Sequence, residues 1–394
     1  MKGSAQESLS KLIKKYKINR VVWNRLYSKK SISRDTKIKQ DLKEKNIEVE
    51  TFNAHLLNEP WEVQNNSGLY FKVFTPYWRK AFDVYKAKKY QITSLKFIDP
   101  LEHNEKNQWN FLPSKKWYQK FSNYWKPGEE AALEKLKYYI NNHIDNYKEG
   151  RDRPDLDQTS RLSPHLRFGE ISPRMIVNQV IKSKKLDISS LTFLSEIGWR
   201  EFSYSLLYYS KDLSTMPINE KFSKFPWRKN EKDLNLWKKG KTGIPLIDAA
   251  MRQIYDNGWM HNRLRMVVGS FLVKNLLLNW TYGERYFQNT LLDYDEASNA
   301  AGWQWIAGCG ADASPYFRVF NPVLQSERFD PQAKFILKYL PDLEELKKPS
   351  LIFQPYLSEE SLNNLVKNNQ YYYPIVDLKD SRNRALEAYQ RIKS

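Results

Sequence analysis

The segment Gly258–Met266 concentrates side chains that can do chemistry, because it contains two arginines, a histidine, an amide and two methionines. The apolar residues that follow recur at helical spacing, so the segment predicts the start of a buried helix. Asn262 and Met266 are four residues apart and are expected on one face of that helix. An amide beside a thioether, with arginines on either side, favours a pocket for a flat, partly apolar ligand that carries phosphate.

Two further motifs contain candidate binding residues. Thr159–Ser163 places three hydroxyl groups and an arginine ahead of a predicted helix, which suits a phosphate clamp. An ordinary helix-capping loop is the more frequent explanation of such a motif. Glu196 shares a helix face with Phe193 and Trp199, and a carboxyl among aromatic rings stays protonated as a hydrogen-bond donor. A surface pair with an arginine is the alternative for Glu196.

Tryptophans and acids cluster in the second half of the chain. Tryptophans of this kind usually belong to a core, and sequence separation cannot show the close approach that electron hopping needs; they are Trp227, Trp237, Trp259, Trp280, Trp303 and Trp305. Just before Trp303, Asp293 and Asp295 add two carboxylates and Asn299 adds an amide. These groups can accept hydrogen bonds from a sugar hydroxyl or a flavin N–H, or they are simply solvated.

Composition restricts the class of protein. The 394 residues carry a formal net charge of +19, which favours a polyanionic partner, with nucleic acid first and an anionic membrane surface second. A general bias toward lysine and asparagine is the alternative explanation. The lone Cys309 excludes an internal disulfide framework, and the five histidines lack metal-ligand spacing, so no metal is expected. No run is long and apolar enough to span a membrane and no signal peptide is evident, so a cytoplasmic location is expected.

The order of predicted elements indicates two kinds of domain. Residues 5–17 and 34–46 predict helices, and residues 18–23 and 47–52 predict strands, as in a parallel α/β sheet. Because two parallel strands do not form a stable sheet alone, this domain is expected to be incomplete. Residues 53–127 are aromatic and irregular. Helical periodicity then dominates, with predicted helices at 129–140, 173–182, 191–209, 245–257, 262–280 and 283–291.

The helical part closely resembles the photolyase/cryptochrome flavoproteins, and in particular the class I cyclobutane pyrimidine dimer photolyases. The motifs that carry the resemblance are Thr159–Ser163, Glu196–Glu201, Lys241–Arg252, Gly258–Met266, Asp293–Trp305 and Tyr316–Pro322. It implies a truncated, Rossmann-like α/β antenna domain at 1–90, a connection at 91–127 and a helical FAD-binding catalytic domain at 128–394. The opening strands of the family's antenna domain are absent; a truncated gene model or a fragment is the favoured explanation, and a protein that lacks part of its antenna site is the alternative.

The resemblance implies a reduced, anionic FAD held in the helical domain. Asn299 matches the residue that faces flavin N5. The other positions that match cofactor-binding residues are Tyr147, Thr159, Ser160, Arg161, Leu162, Ser163, Phe193, Glu196, Asn262, Arg265, Asp293, Tyr294 and Asp295. Trp303, Trp280 and Trp227 match the family's photoreduction chain, in that order outward from the flavin. A second, antenna chromophore is left open between folate, deazaflavin and none.

The same resemblance implies a substrate and a reaction. A pyrimidine dimer flipped out of DNA would stack on Trp199, hydrogen-bond Glu196, and contact Asn262 and Met266. Excited reduced FAD passes an electron to the dimer, the cyclobutane ring splits, and the electron returns. The DNA backbone would be held by Arg151, Arg200, Arg263, Arg318 and Gln325. A monomer is expected.

Two departures from the family pattern and two other functions are considered. Asn275 is expected to replace an aspartate that pairs with the flavin-side arginine, which would shift the flavin potential, and Ala300-Ala301 replace the usual Asn-Gly pair. A cryptochrome-like signalling flavoprotein without repair activity is the main alternative. A basic helical nucleic-acid-binding module without a cofactor is the third, and it leaves the acids near Asn299 unexplained.

Overall fold

The N-terminal part is a small α/β unit. The structure is a computed structural model that describes residues 3–88, 114–183, 186–313 and 317–393. Strands β1 (Arg20–Asn24) and β2 (Glu48–Phe52) pair in parallel, with Arg20 opposite Glu48. Helices α1 (Ala5–Tyr16) and α2 (Lys29–Glu44) precede the strands, so the predicted order is confirmed. Helix α2 begins earlier than predicted because the Ser28 side chain caps it by accepting from the Ser31 N–H.

One helix lies where the sequence predicted irregular chain, so that part of the prediction for 53–127 is wrong. Helix α3 (Phe74–Ala87) buries Phe74, Tyr77, Ala81 and Tyr85 at helical spacing. Aromatic residues form the apolar face of this helix. Because the segment is rich in aromatic residues, its composition suggested an irregular connection and not a helix. Part of the remaining prediction concerns residues 89–113, which lie outside the described residues. The motif residue Tyr316 lies outside them as well.

From residue 129 onward the described chain is helical, which confirms the predicted fold class. The helices are α4 (Glu129–Asn142), α5 (Tyr147–Gly150), α6 (Ser163–Phe168), α7 (Pro173–Ser183), α8 (Ile188–Tyr209), α9 (Glu231–Lys238), α10 (Pro245–Asn257), α11 (Asn262–Ser270), α12 (Trp280–Thr290), α13 (Glu296–Ala307), α14 (Pro322–Phe329), α15 (Lys334–Tyr339), α16 (Pro349–Phe353), α17 (Glu359–Lys367) and α18 (Leu378–Lys393).

The prediction of one continuous helix over 262–280 is wrong. Helix α11 ends at Ser270 and continues into a π-helical turn, Phe271–Asn275. Leu277 then adopts a left-handed conformation with φ of 56°, and Asn279 caps α12 by accepting from the Thr281 N–H. Six of the eight residues from Phe271 to Leu278 are apolar, so the periodicity of this stretch does not reveal the break. The break puts Trp280 at the first residue of α12.

Helix α8 lies at the centre of the fold. It packs against α3 on one side and α13 on the other, and Phe202 and Leu206 share a cluster with Tyr77 and Ala300. The contact with α3 is close at Gly198, where an added Cβ would lie 2.5 Å from the Trp78 ring. A second and larger apolar cluster surrounds α10 to α13 and α18. In the part of the chain that the structure describes, no helix is long and apolar enough to cross a membrane.

Candidate functional site

Three helices meet where the sequence predicted a site. The Arg265 Nη2 on α11 donates to Asp293 Oδ2 at 2.7 Å, just ahead of α13. The Tyr204 hydroxyl on α8 donates to Asp295 Oδ2 at 2.5 Å, at the start of α13. The two aspartates therefore tie α11 and α8 to the same end of α13, and the predicted residues on all three helices share one region.

The two aspartates differ in what they leave available. Asp293 is buried, and its Oδ1 has no hydrogen-bond partner although Oδ2 is paired with Arg265. Asp295 is used on both oxygens, because Oδ1 caps α13 by accepting from the Ser298 N–H at 2.8 Å. A buried carboxylate oxygen without a donor is costly, so Asp293 Oδ1 is the acceptor that a bound ligand would satisfy.

The hydroxyl-rich loop lies beside a tryptophan. Arg161 adopts a left-handed backbone with φ of 49°, which is uncommon for a residue with a side chain and typical of functional loops. Its guanidinium lies over the Trp259 ring, 5.2 Å from the ring centroid. The Trp259 Nε1–H in turn donates to Ser163 Oγ at 3.2 Å. Trp259 therefore orients the loop, a role that the sequence prediction missed although the residue lies in the segment it emphasised.

Tyr147 and Phe193 lie together below this loop. Their rings meet edge to face with centroids 5.4 Å apart, and both belong to a buried cluster with Leu162. The Arg151 guanidinium lies 5.6 Å from the centroid of the Tyr147 ring. The structure thus gathers these three predicted cofactor-binding residues and one predicted DNA contact.

Glu196 and Trp199 lie on one face of α8, as predicted. Glu196 Oε1 accepts from Arg151 Nη1 at 2.6 Å. Burial raises the pKa of the Glu196 carboxyl, and the charge of Arg151 opposes that shift. Trp199 stacks on Phe74 of α3 with ring centroids 3.7 Å apart and an angle of 7°. Phe74 fixes the plane of the tryptophan and was not among the predicted site residues.

The start of α11 carries Asn262 and Met266, which the sequence analysis predicted to contact the dimer. Asn262 is exposed and Met266 is half-buried. His261 caps the helix, its Nδ1 accepting from the Arg263 N–H at 3.2 Å. Burial lowers the pKa of His261 to about 3, so the ring is neutral at physiological pH. The cap fixes the start of α11, where Asn262 is exposed and Leu264 packs into the core.

The predicted DNA contacts differ in their exposure and in their partners. Arg318 is exposed, and Gln325 is half-buried on α14. Arg263 Nη2 pairs with Asp152 Oδ2 at 2.6 Å. Arg200 points inward: its side chain is only 11% exposed, donates to the His55 carbonyl and lies over the Tyr204 ring. In this conformation Arg200 is not presented to a phosphate.

Asn299 is held by an acid that the sequence prediction did not name. The Asn299 amide nitrogen donates to the Glu284 carbonyl at 3.1 Å and to Glu284 Oε1 at 3.0 Å. Both amide hydrogens therefore point to α12, which leaves the Asn299 carbonyl oxygen as the free acceptor.

The expectation for Asn275 is wrong. Arg265 has its aspartate partner in Asp293, so no aspartate is missing from that pair. The Asn275 amide nitrogen instead donates to Ser381 Oγ at 2.8 Å, and the Asn275 carbonyl accepts from Arg384. Asn275 therefore ties the π-helical turn to α18.

The three predicted electron-transfer tryptophans contact one apolar cluster. Trp303 and Trp280 are each 2% exposed, and Trp227 is half-buried and packs against the same cluster. The Trp303 ring covers Gly283 of α12, where an added Cβ would lie 2.1 Å from the ring. Exposure therefore rises from Trp303 to Trp227, in the direction that the prediction requires.

The residues present suit a flavin nucleotide. Asp293 Oδ1 and Arg161 Nε are buried without partners, one an acceptor and the other a donor. They accompany a hydroxyl-bearing loop and a pair of aromatic rings, which match the phosphate, sugar and ring parts of such a ligand. Within the described ranges, no group of three or more His, Cys, Asp or Glu side chains could hold a metal ion.

Comparisons with known proteins identify the family. A family model described as the FAD binding domain of DNA photolyase matches residues 193–391, and one described as DNA photolyase matches residues 1–96. The deoxyribodipyrimidine photo-lyase of Agrobacterium fabrum is 42% identical over 99% of this chain and 83% of its own length. The crystal structure of a bacterial class III photolyase from Agrobacterium tumefaciens superposes with a TM-score of 0.90 at 40% identity, covering 99% of this chain and 83% of that one.

A cryptochrome is also similar. The structure of a Synechocystis cryptochrome has a TM-score of 0.82 at 26% identity, covering 98% of this chain and 82% of that one. The chain belongs to the photolyase/cryptochrome family, and its helical part is the family's FAD-binding domain. The predicted assignment to class I is not confirmed.

Proposed function

We propose that this protein repairs pyrimidine dimers in DNA in a light-driven reaction that uses reduced FAD. The observation that carries the proposal is the meeting of α8, α11 and α13, where Tyr204 and Arg265 bind Asp295 and Asp293 at one end of α13. The similar enzymes named deoxyribodipyrimidine photo-lyase support it.

The cofactor would be held by groups with distinct tasks. The loop Thr159–Ser163 binds the phosphates through hydroxyl, backbone and guanidinium donors. Tyr147 and Phe193 pack against the nucleotide, and Arg265 with Asp293, Tyr294, Asp295 and Asn299 surround the flavin end. Bound in its reduced form and excited by light, FAD supplies the electron that opens the cyclobutane ring.

The dimer would enter between α8 and α11. Trp199, fixed by its stacking on Phe74, offers a flat surface for a flipped-out base. Burial raises the pKa of Glu196 against the opposing charge of Arg151, and in its protonated form Glu196 would donate a hydrogen bond to a pyrimidine carbonyl. Asn262 and Met266 line the opposite side, one polar and one apolar.

Electrons that reduce the flavin would come through tryptophan. Trp303, Trp280 and Trp227 form the route from the buried end of α13 to the half-exposed Trp227. The carbonyl oxygen of Asn299, oriented by Glu284, accepts a hydrogen bond at the flavin end.

DNA would be gripped by Arg151, Arg263, Arg318 and Gln325 around the pocket mouth. Guanidinium pairs with phosphate bidentately, so this grip is strong, sequence-independent and sensitive to salt. Arg200, also proposed from the sequence, would have to leave its internal partners to join them.

The class is proposed from similarity. The class III photolyase from Agrobacterium tumefaciens, at 40% identity, supports class III more than the class I assignment suggested by motifs. Domain limits at 1–90, 91–127 and 128–394, a monomeric state and a cytoplasmic location stay predictions. Folate, deazaflavin or no antenna chromophore all stay open.

The test is repair itself. Purified protein is expected to absorb as a flavoprotein, and blue light with chemically reduced FAD is expected to restore thymine absorbance in dimer-containing single-stranded DNA. The same mixture kept in the dark is the control. Flavin binding without repair would refute the repair function and favour the cryptochrome-like signalling function, which is consistent with the similarity to a cryptochrome structure.

A further inference from the structure

We propose that Asp152 is a specificity-determining residue that competes with DNA phosphate for Arg263 and thereby weakens binding to undamaged DNA. The inference rests on the proposed function, because it takes Arg263 to be a DNA contact. Asp152 Oδ2 lies 2.6 Å from Arg263 Nη2, and the two side chains are 30% and 16% exposed. The pair therefore lies at the surface of the site, where a phosphate can reach it.

Asp152 offers the same chemistry as the phosphate it would exclude. A carboxylate and a phosphate both present acceptor oxygens that match the guanidinium fork. The Arg263 guanidinium lies over the Phe329 ring, 4.6 Å from its centroid, so packing restricts the orientation of its donors. A DNA phosphate must displace the Asp152 carboxylate to bind the Arg263 guanidinium. While the Arg263–Asp152 pair stays intact, Arg263 therefore contributes little to the affinity for DNA.

The dimer pocket provides the means of release. Arg151 lies between two carboxylates, with Nη1 at 2.6 Å from Glu196 Oε1 and Nε at 3.9 Å from Asp152 Oδ1. When a dimer carbonyl accepts a hydrogen bond from protonated Glu196, that carboxyl is neutral, so Arg151 keeps only Asp152 as an ionic partner and Asp152 holds Arg263 less strongly. Arg263 is then free to bind the DNA backbone.

Undamaged duplex DNA does not release Arg263 from Asp152. Its bases stay stacked and paired, so nothing reaches Glu196, and Arg263 stays with Asp152. The linked groups Glu196, Arg151, Asp152 and Arg263 thus couple occupation of the pocket to the grip on the backbone. This coupling adds discrimination without any contact between Asp152 and DNA.

The experiment compares Asp152→Asn with Asp256→Asn in the flavin-loaded, full-length protein, in the dark. Asp256 is a matched control, because it is 31% exposed, pairs with Lys120 at 3.0 Å and gives the same change in net charge. Fluorescence anisotropy measures binding to one duplex sequence, with and without a single thymine dimer, between about 50 and 200 mM salt.

The two variants are expected to differ on undamaged DNA. Asp152→Asn is expected to bind undamaged duplex about 5- to 10-fold tighter than wild type, with a salt slope steeper by about one, the value of one added phosphate contact. Its affinity for the dimer-containing duplex is expected to change less than about twofold, so discrimination falls. Asp256→Asn is expected to keep the wild-type discrimination.

Two results would overturn the inference. Equal gains in Asp152→Asn and Asp256→Asn would assign the effect to net charge alone, and weaker binding to both duplexes would make Asp152 a support for Arg263. If Asp152→Asn loses its flavin or its circular dichroism spectrum, Asp152→Ser is measured instead. A wild type without preference for the dimer would refute the proposed repair function, whereas the contrast between the variants on undamaged duplex would still decide the role of Asp152.

Discussion

At the scale of single residues, the site is assembled by side chains that hold other side chains. Glu284 orients the Asn299 amide, Trp259 holds Ser163, and Phe74 fixes Trp199. Each supporting group removes one torsional freedom from a group that would touch a ligand. A site with fixed donors and rings needs little reorganisation on binding.

Trp303→Phe tests the electron route at this scale. An indole is oxidised far more easily than a benzene ring, so photoreduction of the flavin is expected to fall to background in the variant. Repair is expected to persist when the flavin is reduced chemically beforehand. Flavin absorbance during blue illumination measures the first effect, and recovery of thymine absorbance measures the second.

Trp305→Phe is the matched control for that variant. Trp305 lies two residues further along α13 and is half-buried, and its Nε1–H donates to the Asp312 carbonyl at 3.1 Å. Photoreduction is expected to continue in Trp305→Phe. Loss of both photoreduction and repair in Trp303→Phe would contradict its assignment to the electron route.

Sequence patterns predicted residue types better than residue partners. The motif that contains Asp293 and Asp295 was recognised, yet Asn275 was assigned to a pair that Arg265 and Asp293 make themselves. Partners separated by 28 positions or more along the chain depend on how helices pack, which no local spacing encodes. The same limit hid Asp152 and Trp259, each of which acts through a residue distant in sequence.

At the scale of elements, α8 determines the site because it carries Glu196 and Trp199 and packs on both α3 and α13. Its approach to α3 depends on a residue without a side chain, since the Trp78 ring fills the space beside Gly198. The sequence pattern predicted α8 and α10 to within three residues at each end. The break after α11 was not predicted, because a mostly apolar run looks the same whether the helix continues or stops. The helix α3 was not predicted either, because an aromatic-rich run is found in helices and in irregular connections.

Gly198→Ala is expected to destabilise the fold through that contact. The new Cβ would lie 2.5 Å from the Trp78 ring, so α3 or α8 must shift, at a cost of about 1–3 kcal/mol. Gly302→Ala on α13 is the control, because nothing lies within 4 Å of its added Cβ. That control is expected to gain up to about 1 kcal/mol from helix propensity. Urea unfolding followed by circular dichroism measures both, and equal effects of the two substitutions would refute the close approach.

At the scale of the whole molecule, charge is distributed between a basic surface and a core that contains a lysine. The chain has a formal net charge of +19, and one of its lysines, Lys274, is only 4% exposed inside the π-helical turn. Its ammonium donates to the Arg318 carbonyl and lies 4.7 Å from the centroid of the Phe317 ring. Burial, together with the charge of Arg318, lowers the pKa of Lys274 to about 7.

The buried lysine makes stability depend on pH in a defined window. In the unfolded chain Lys274 binds its proton below pH 10.5, whereas in the folded protein it does so only below pH about 7. Its contribution is therefore full above pH 10.5, and it is lost as the pH falls from there to about 7. The difference in unfolding free energy between wild type and Lys274→Met is expected to fall over this window, with a limiting slope of about 1.4 kcal/mol per pH unit, and to stay level below it. Urea melts of both proteins at pH 6 to 10 measure it, since the other titrating groups cancel in the comparison. A difference independent of pH would mean that Lys274 keeps its proton in the folded protein, held by the Arg318 carbonyl and the Phe317 ring.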